Sequence, residues 1–217
     1  MQAAETKPPD FDKALKSNLS GDPEGEAVGY GLQTFPLVAR ALGSDTVLRW
    51  EMSPAEQVAL LFVLGQLRPK VAIEIGTRFG GSLQVLSKYC GHVYSLDIDP
   101  EVPARLEGRF PNVTYLTGPS EQMLPPLLAR LQAEGAELTF VLVDGGHTTE
   151  LVRADIDNVL KFMPSHPLYV VMHDSMNPAC RRGLQQANWA ASPYVHAVEL
   201  DFVPGSVNTS AAFRGQL

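Results

Sequence analysis

Two short segments of this chain carry side chains able to move a proton and hold a cation. They are Asp144-Gly145-Gly146-His147 and His173-Asp174-Ser175. Each follows an apolar run, so each stands where a buried strand would end, and in open α/β sheets ligands sit beyond the carboxyl ends of the strands. Asp144 and Asp174 would then face one cavity, and two like charges close together are costly unless something neutralises them. A hard divalent cation such as Mg²⁺ is the simplest remedy, with protonation or pairing to Arg181 or Arg182 as the alternative. His173 could add a third metal ligand, although imidazole suits softer ions than Mg²⁺. His147, three residues after Asp144 in a glycine-rich turn, can lean over the same cavity and accept a hydroxyl proton, which makes it the candidate general base. His92, His166 and His196 have no acidic partner nearby in sequence and read as structural.

A second pattern, Glu74-Ile75-Gly76-Thr77-Arg78-Phe79-Gly80-Gly81-Ser82, joins an apolar run to a helical one. Gly76, Gly80 and Gly81 would let the backbone approach a ligand, while Thr77, Ser82 and the free N–H groups of the next helix face it. The spacing is not the G-x-G-x-x-G that seats a pyrophosphate on a helix N-terminus, so the cofactor implied has none. S-adenosylmethionine meets that condition, and Glu74 suits its amino-acid head group and sulfonium. Asp97, at the end of the next apolar run, is placed to accept from the ribose hydroxyls through both carboxylate oxygens. Asp99, beside Pro100, reads as a helix cap. Gly118 and Ser120 fall where an adenine edge would pass the third strand, and Ser120 has a competing reading as an N-cap.

These residues need a scaffold that brings strand ends together, and the chain supplies one. Apolar runs at 71–75, 93–96, 113–116, 138–143 and 168–172 alternate with helical patterns near 81–89, 102–110, after Pro125 and Pro126, 149–163 and 179–189. Such alternation means right-handed βαβ units and a Rossmann-like, doubly wound, mostly parallel sheet with helices on both faces. The pattern predicts a further strand at 195–202. Ser53-Pro54-Ala55-Glu56 is a capping box with proline at the first helical position, and the helix it opens, to about Gln66, is apolar enough to be buried on every side. Residues 1–50 read as an arm and cap segment, and 51–217 as the cofactor-binding domain.

The net charge of −7 argues against a nucleic-acid or anionic-membrane partner, and 217 residues suit one well-packed domain. A neutral polar or small substrate fits better. Cys90 and Cys180 show no zinc or disulfide spacing and read as reduced, buried thiols in a cytoplasmic protein. Phe35, Leu37, Val38 and Leu42 need a partner surface, which points to a homodimer or to burial on the chain's own domain.

Together these motifs resemble class I S-adenosylmethionine-dependent methyltransferases. The nearer likeness is to the group with macrocin- and mycinamicin-type and rhamnosyl sugar O-methyltransferases and cephalosporin hydroxylase-like proteins. It spans roughly Trp50 to Gly205. E-I-G-T-R-F-G-G-S is shared by many methyltransferases, whereas D-G-G-H paired with H-D-S is more specific. The resemblance implies Mg²⁺ at Asp144 and at positions 173 and 174, His147 as base, and metal-assisted O-methylation of a sugar or related polyol. His173 stands where several relatives have an acid. A metal-dependent hydrolase, a nicotinamide-dependent oxidoreductase and a non-catalytic cofactor-binding module are the competing readings on the same architecture.

Overall fold

The computed structural model describes residues 36–43 and 48–200. The arm at 1–28, the residue Phe35 and the side chain of Leu37 lie outside what it describes. Helix α1 (Pro36–Leu42) leads to α2 (Pro54–Leu67), whose start is set locally. The Ser53 hydroxyl accepts from the Glu56 backbone N–H at 3.3 Å, and the Glu56 carboxylate accepts from the Ser53 N–H at 2.8 Å. Burial of α2 on every side is not what forms. Gln57, Leu60 and Leu64 make one buried stripe, while Phe62 stays 66% exposed. The spacing i, i+3, i+7 admits one contact face, so an all-apolar helix at the edge of a layer keeps an open side.

Five parallel strands follow in the order β3-β2-β1-β4-β5, namely β1 (Val71–Ile75), β2 (His92–Asp97), β3 (Val113–Thr117), β4 (Leu138–Val143) and β5 (Tyr169–Met172). The order reverses between β1 and β4, which makes the gap beyond their ends the ligand crevice of a doubly wound sheet. Between the strands run α3 (Gly81–Tyr89), α4 (Glu101–Leu106), α5 (Ser120–Ala133), α6 (Thr149–Val159) and, after β5, α7 (Pro178–Gln186). Alternate strand residues feed two core layers. Ile73, Ile75, Val141 and Val143 join the layer with Leu124, Leu128, Val152 and Ile156. Ala72, Phe140 and Leu142 join the layer with Trp50, Leu60, Leu64, Leu83 and Leu86. Val38 is buried in that second layer, so the chain's own domain covers it.

The structure departs from the sequence reading in further elements, among them α4, which stops at Leu106 and not near 110. Helix α5 begins at Ser120 and carries Pro125 and Pro126 inside it, not before it. Those prolines leave the carbonyls of Glu121 and Gln122 without helical donors, and both residues are exposed, where water can reach them. Pro119, not Ser120, occupies the N-cap. Helices α6 and α7 stop at Val159 and Gln186, short of the expected ends, and Trp189–Ala191 forms a separate 3₁₀ turn. Residues 195–200 form no strand. The Arg181 guanidinium donates to the Leu200 carbonyl and the Leu200 side chain packs on the α5–α7 layer, so side-chain contacts fix the segment where a ladder was expected. Residues 201 and 202 lie outside the described residues. Both cysteines are buried free thiols, and burial pushes the Cys90 thiol up to about 12.

Candidate active site

The turn after β1 is built so that two strand ends touch. Gly76 has φ +87°, its N–H donates to the Leu96 carbonyl at 2.8 Å, and the Asp144 N–H donates to the Ile75 carbonyl at 2.8 Å. A Cβ at Gly76 would lie 2.0 Å from the Asp144 carbonyl oxygen. Only glycine fits. Glu74 is fully buried beneath this turn, where its carboxylate accepts from the hydroxyls of Thr77 at 2.7 Å and Ser82 at 2.6 Å. Burial outweighs those hydrogen bonds and pushes it up to about 8. Glu74 therefore supports the turn from below and does not line the cavity. Gly80 faces Leu48 and Leu106 instead of the cavity.

The cavity has a volume of about 710 Å³ and joins the turn to the other strand ends. Gly76, Thr77, Gly81, Ser82, Asp97, Gly118, Ser120, Asp144, His147, His173 and Asp174 all line it. Asp97 is more committed than the sequence suggests. Its Oδ2 accepts from the backbone N–H groups of Thr77 at 2.9 Å and Arg78 at 2.7 Å, and Oδ1 accepts from Asp99 N–H at 2.9 Å. A carboxylate has about four lone-pair sites, so roughly one remains for a ligand, not two open oxygens. Asp99 accepts from the Glu101 N–H and from Arg105 at the start of α4, and those bonds hold its carboxyl below the usual range.

The opposite strand ends assemble a charged wall. His147 Nε2 lies 3.0 Å from Asp174 Oδ2. His173 Nδ1 meets Asp144 Oδ1 at 2.8 Å and Asp174 Oδ2 at 3.2 Å, while its Nε2 reaches Glu56 Oε1 at 3.4 Å. Burial alone would favour a neutral ring, but hydrogen bonds to Asp144, Asp174 and Glu56 outweigh it and push His173 up to about 12. The same contact holds Glu56 down to about 2 and lowers Asp174, whereas burial raises Asp144. Asp174 adopts φ +55°, a left-handed conformation that a non-glycine residue holds only where its surroundings enforce it. One ligand atom from each of Asp144, His173 and Asp174 lies within 4.8 Å of the others, so the three fit a single divalent cation. Two carboxylates and an imidazole suit a borderline ion at least as well as Mg²⁺.

Sequence reasoning missed three parts of this site. Glu56 was read only as a capping residue, yet its second oxygen faces His173. The rim is closed by Arg49, Glu51, Arg78 and Phe79, with Arg78 2.8 Å from Glu51 and the Arg49 guanidinium 4.5 Å over the Phe79 ring. Asp155 lies buried beside Gly145 of the cavity lining, its Oδ2 3.8 Å from where a Cβ on that glycine would stand. No local signal in the sequence distinguishes these from ordinary surface or helix residues.

Residues 73–175 match the model of a family described as a methyltransferase domain. Cofactor-bound Rv0187 from MTB is similar in structure, with a TM-score of 0.51 and 23% identity over 84% of this chain and 85% of that one. The methyltransferase MycE from the mycinamycin biosynthetic pathway, in complex with Mg and SAH, gives a TM-score of 0.46 and 17% identity over 67% of this chain. This chain covers 38% of MycE. The N-methyltransferase NodS from Bradyrhizobium japonicum WM9, in complex with S-adenosyl-L-homocysteine, gives 0.43 and 21% identity, covering 67% of this chain and 75% of NodS. No curated protein sequence matches the chain.

The parallel sheet, its reversal between β1 and β4 and the glycine turn define a class I methyltransferase fold. Within that fold, residues 73–175 carry the match to a methyltransferase domain. Among the described residues no helix is long and apolar enough to cross a membrane.

Proposed function

We propose that this protein transfers the methyl group of S-adenosylmethionine to a hydroxyl of a sugar, saccharide or related small polyol, with His147 as general base. The observation that carries the reading is the His147–Asp174 contact at 3.0 Å, on the same cavity that the glycine turn and Asp97 line. With Nε2–H donating to Asp174, the lone pair of His147 sits on Nδ1, and Nδ1 takes the acceptor's proton as its oxygen moves onto the methyl carbon. Asp174 then stabilises the imidazolium, and His173 keeps Asp174 in place. A divalent cation, Mg²⁺ or a softer ion, would be held by Asp144, His173 and Asp174, and when bound supplies positive charge that acidifies hydroxyls near it. The acceptor class rests on the pairing of D-G-G-H with H-D-S.

The net charge of −7 supports a small neutral acceptor over nucleic acid or membrane. The exposed Phe62 on α2 supports a homodimer, and the reduced thiols a cytoplasmic setting. The test is turnover with a panel of saccharide and polyol acceptors, with EDTA and with Mg²⁺ or Mn²⁺ restored. Activity is expected to vanish in chelator and return with metal while S-adenosylhomocysteine still binds, and Asp144→Asn or Asp174→Asn abolishes the rescue. Full activity in chelator removes the cation from the proposal and leaves His173, held among three carboxylates, as the charge that balances them.

A further inference from the structure

The two ring nitrogens of His173 face different partners. Nδ1 meets the strand-end carboxylates, 2.8 Å from Asp144 Oδ1 and 3.2 Å from Asp174 Oδ2. Nε2 meets Glu56 Oε1 at 3.4 Å. Asp144, His173 and Asp174 line the cavity and Glu56 does not. The Glu56 carboxylate is itself held, because its Oε2 accepts from the Ser53 N–H at 2.8 Å in the cap of α2. An imidazole whose side chain is 8% exposed thus stands between a fixed acid on one nitrogen and, on the other, the two carboxylates with which it can share a cation.

We propose that Glu56 is a positioning residue that keeps a proton on Nε2 of His173, so that Nδ1 turns its lone pair to a divalent cation shared with Asp144 and Asp174. The site then favours ions that accept imidazole nitrogen, such as Zn²⁺, over Mg²⁺. The inference rests on the cation reading of this wall. A neutral imidazole carries one proton, and the hydrogen bond at one nitrogen decides which atom the other offers. Ligation needs the unprotonated nitrogen, so the Nδ1 proton leaves to solvent when an ion binds. Histidine ligands commonly donate their second N–H to a carboxylate, which fixes the ring and raises its basicity. Mg²⁺ gains little from this, since it prefers oxygen donors and keeps its waters. The cap of α2 makes the assignment testable without losing the helix start, because glutamine also serves at this capping position. In Glu56→Gln the Ser53 N–H claims the amide oxygen and leaves the amide NH₂ facing Nε2. The ring must then accept at Nε2 and keep its proton on Nδ1, where it blocks ligation.

The experiment is calorimetric titration of the metal-free full chain with Zn²⁺ and with Mg²⁺, as wild type, Glu56→Gln, Ser53→Ala and His173→Ala, together with nitrogen NMR of the zinc-loaded wild type labelled at histidine. The His173 resonances, assigned by their loss in His173→Ala, are expected to show the proton on Nε2 and zinc on Nδ1. Glu56→Gln is expected to weaken Zn²⁺ binding by about 10- to 100-fold and Mg²⁺ binding by less than about threefold. Ser53→Ala removes only the hydroxyl that accepts from the Glu56 N–H, and both affinities are expected to stay as in wild type. Equal losses for the two ions in Glu56→Gln reduce Glu56 to a remote charge and overturn the proposal. A Zn²⁺ loss in Ser53→Ala as large as that in Glu56→Gln also overturns it, by assigning the effect to the helix start. If Glu56→Gln does not fold, the wild-type spectrum decides alone. Zinc uptake with the proton on Nδ1, or with no zinc signal from His173, overturns the proposal and leaves the cation reading standing. A wild type that takes up neither ion overturns both.

Discussion

Replacing Gly76 by alanine tests whether the contact between the β1 and β4 ends organises the site. The added Cβ would lie 2.0 Å from the Asp144 carbonyl oxygen, 2.6 Å from its carbon and 2.9 Å from the Gly145 Cα, all of them backbone atoms. Neither side can give easily, because the Gly76 N–H and the Asp144 N–H are both held in 2.8 Å hydrogen bonds to neighbouring strand ends. Two costs follow. A left-handed conformation with a Cβ costs about 1–2 kcal/mol, and forcing packed backbone apart costs about 1–3 kcal/mol more. The total expected is about 2–5 kcal/mol of folding stability. Gly135 supplies the control, since its φ is +64° and a Cβ there meets nothing within 4 Å. Gly135→Ala carries only the first cost. Urea denaturation followed by circular dichroism reads the difference, and binding of S-adenosylhomocysteine to whatever remains folded reads the damage to the cavity. If Gly76→Ala is no more destabilising than Gly135→Ala, the steric argument fails, and with it the claim that this turn and the Asp144 loop form one unit.

Three further outcomes are expected. His147→Ala or His147→Gln lowers kcat by ~10²–10⁴ with cofactor binding nearly intact, and wild-type turnover in either variant places the base elsewhere, with His173 next to test. Asp97→Ala weakens S-adenosylhomocysteine binding and also removes the acceptor of three backbone N–H groups, costing on the order of 1–3 kcal/mol of stability by denaturation, and a variant unchanged in both removes its assigned role. Glu74, held near 8 against an ordinary 4.5, binds a proton in the folded state that the unfolded chain has lost, so stability falls as pH rises from 4.5 to 8. Thermal unfolding across that range should show a shallower decline in Glu74→Gln; an identical slope assigns the pH dependence to another group.

The sheet was legible in the sequence because each strand is a short apolar run bounded by turn residues, and a strand buried on both faces leaves that mark directly. The ends of β1, β2, β4 and β5 were legible for the same reason, since polar residues there interrupt the runs. Pro125 and Pro126 misled because their cost depends on whether the orphaned carbonyls reach water, a tertiary fact. Residues 195–200 alternate like a strand, but a strand exists only with a ladder partner, and the contact between Arg181 and Leu200 fixes the segment otherwise. Asp97 lines the cavity as read, but two of its three backbone donors come from a turn about twenty residues earlier, which nothing adjacent to it in the chain marks. Glu56 and Asp155 were invisible as site residues. What each does depends on partners from other elements, and nothing adjacent in the chain marks them.

The two oxygens of Glu56 tie a helix start to the wall of the cavity. One closes the cap of α2 and the other meets His173, so the start of a helix and the charge balance of the wall at the strand ends depend on one side chain. A chimera that imports α1 and α2 from a relative to change acceptor specificity would import a new protonation regime with them, unless the donor carries an acid at the matching capping position. Conversely, an acid in place of His173 would make a capping glutamate at position 56 costly, since it would add another negative charge to the same wall. The identity of position 56 should therefore vary together with that of position 173 across the lineage, linking two sites 117 residues apart in the chain.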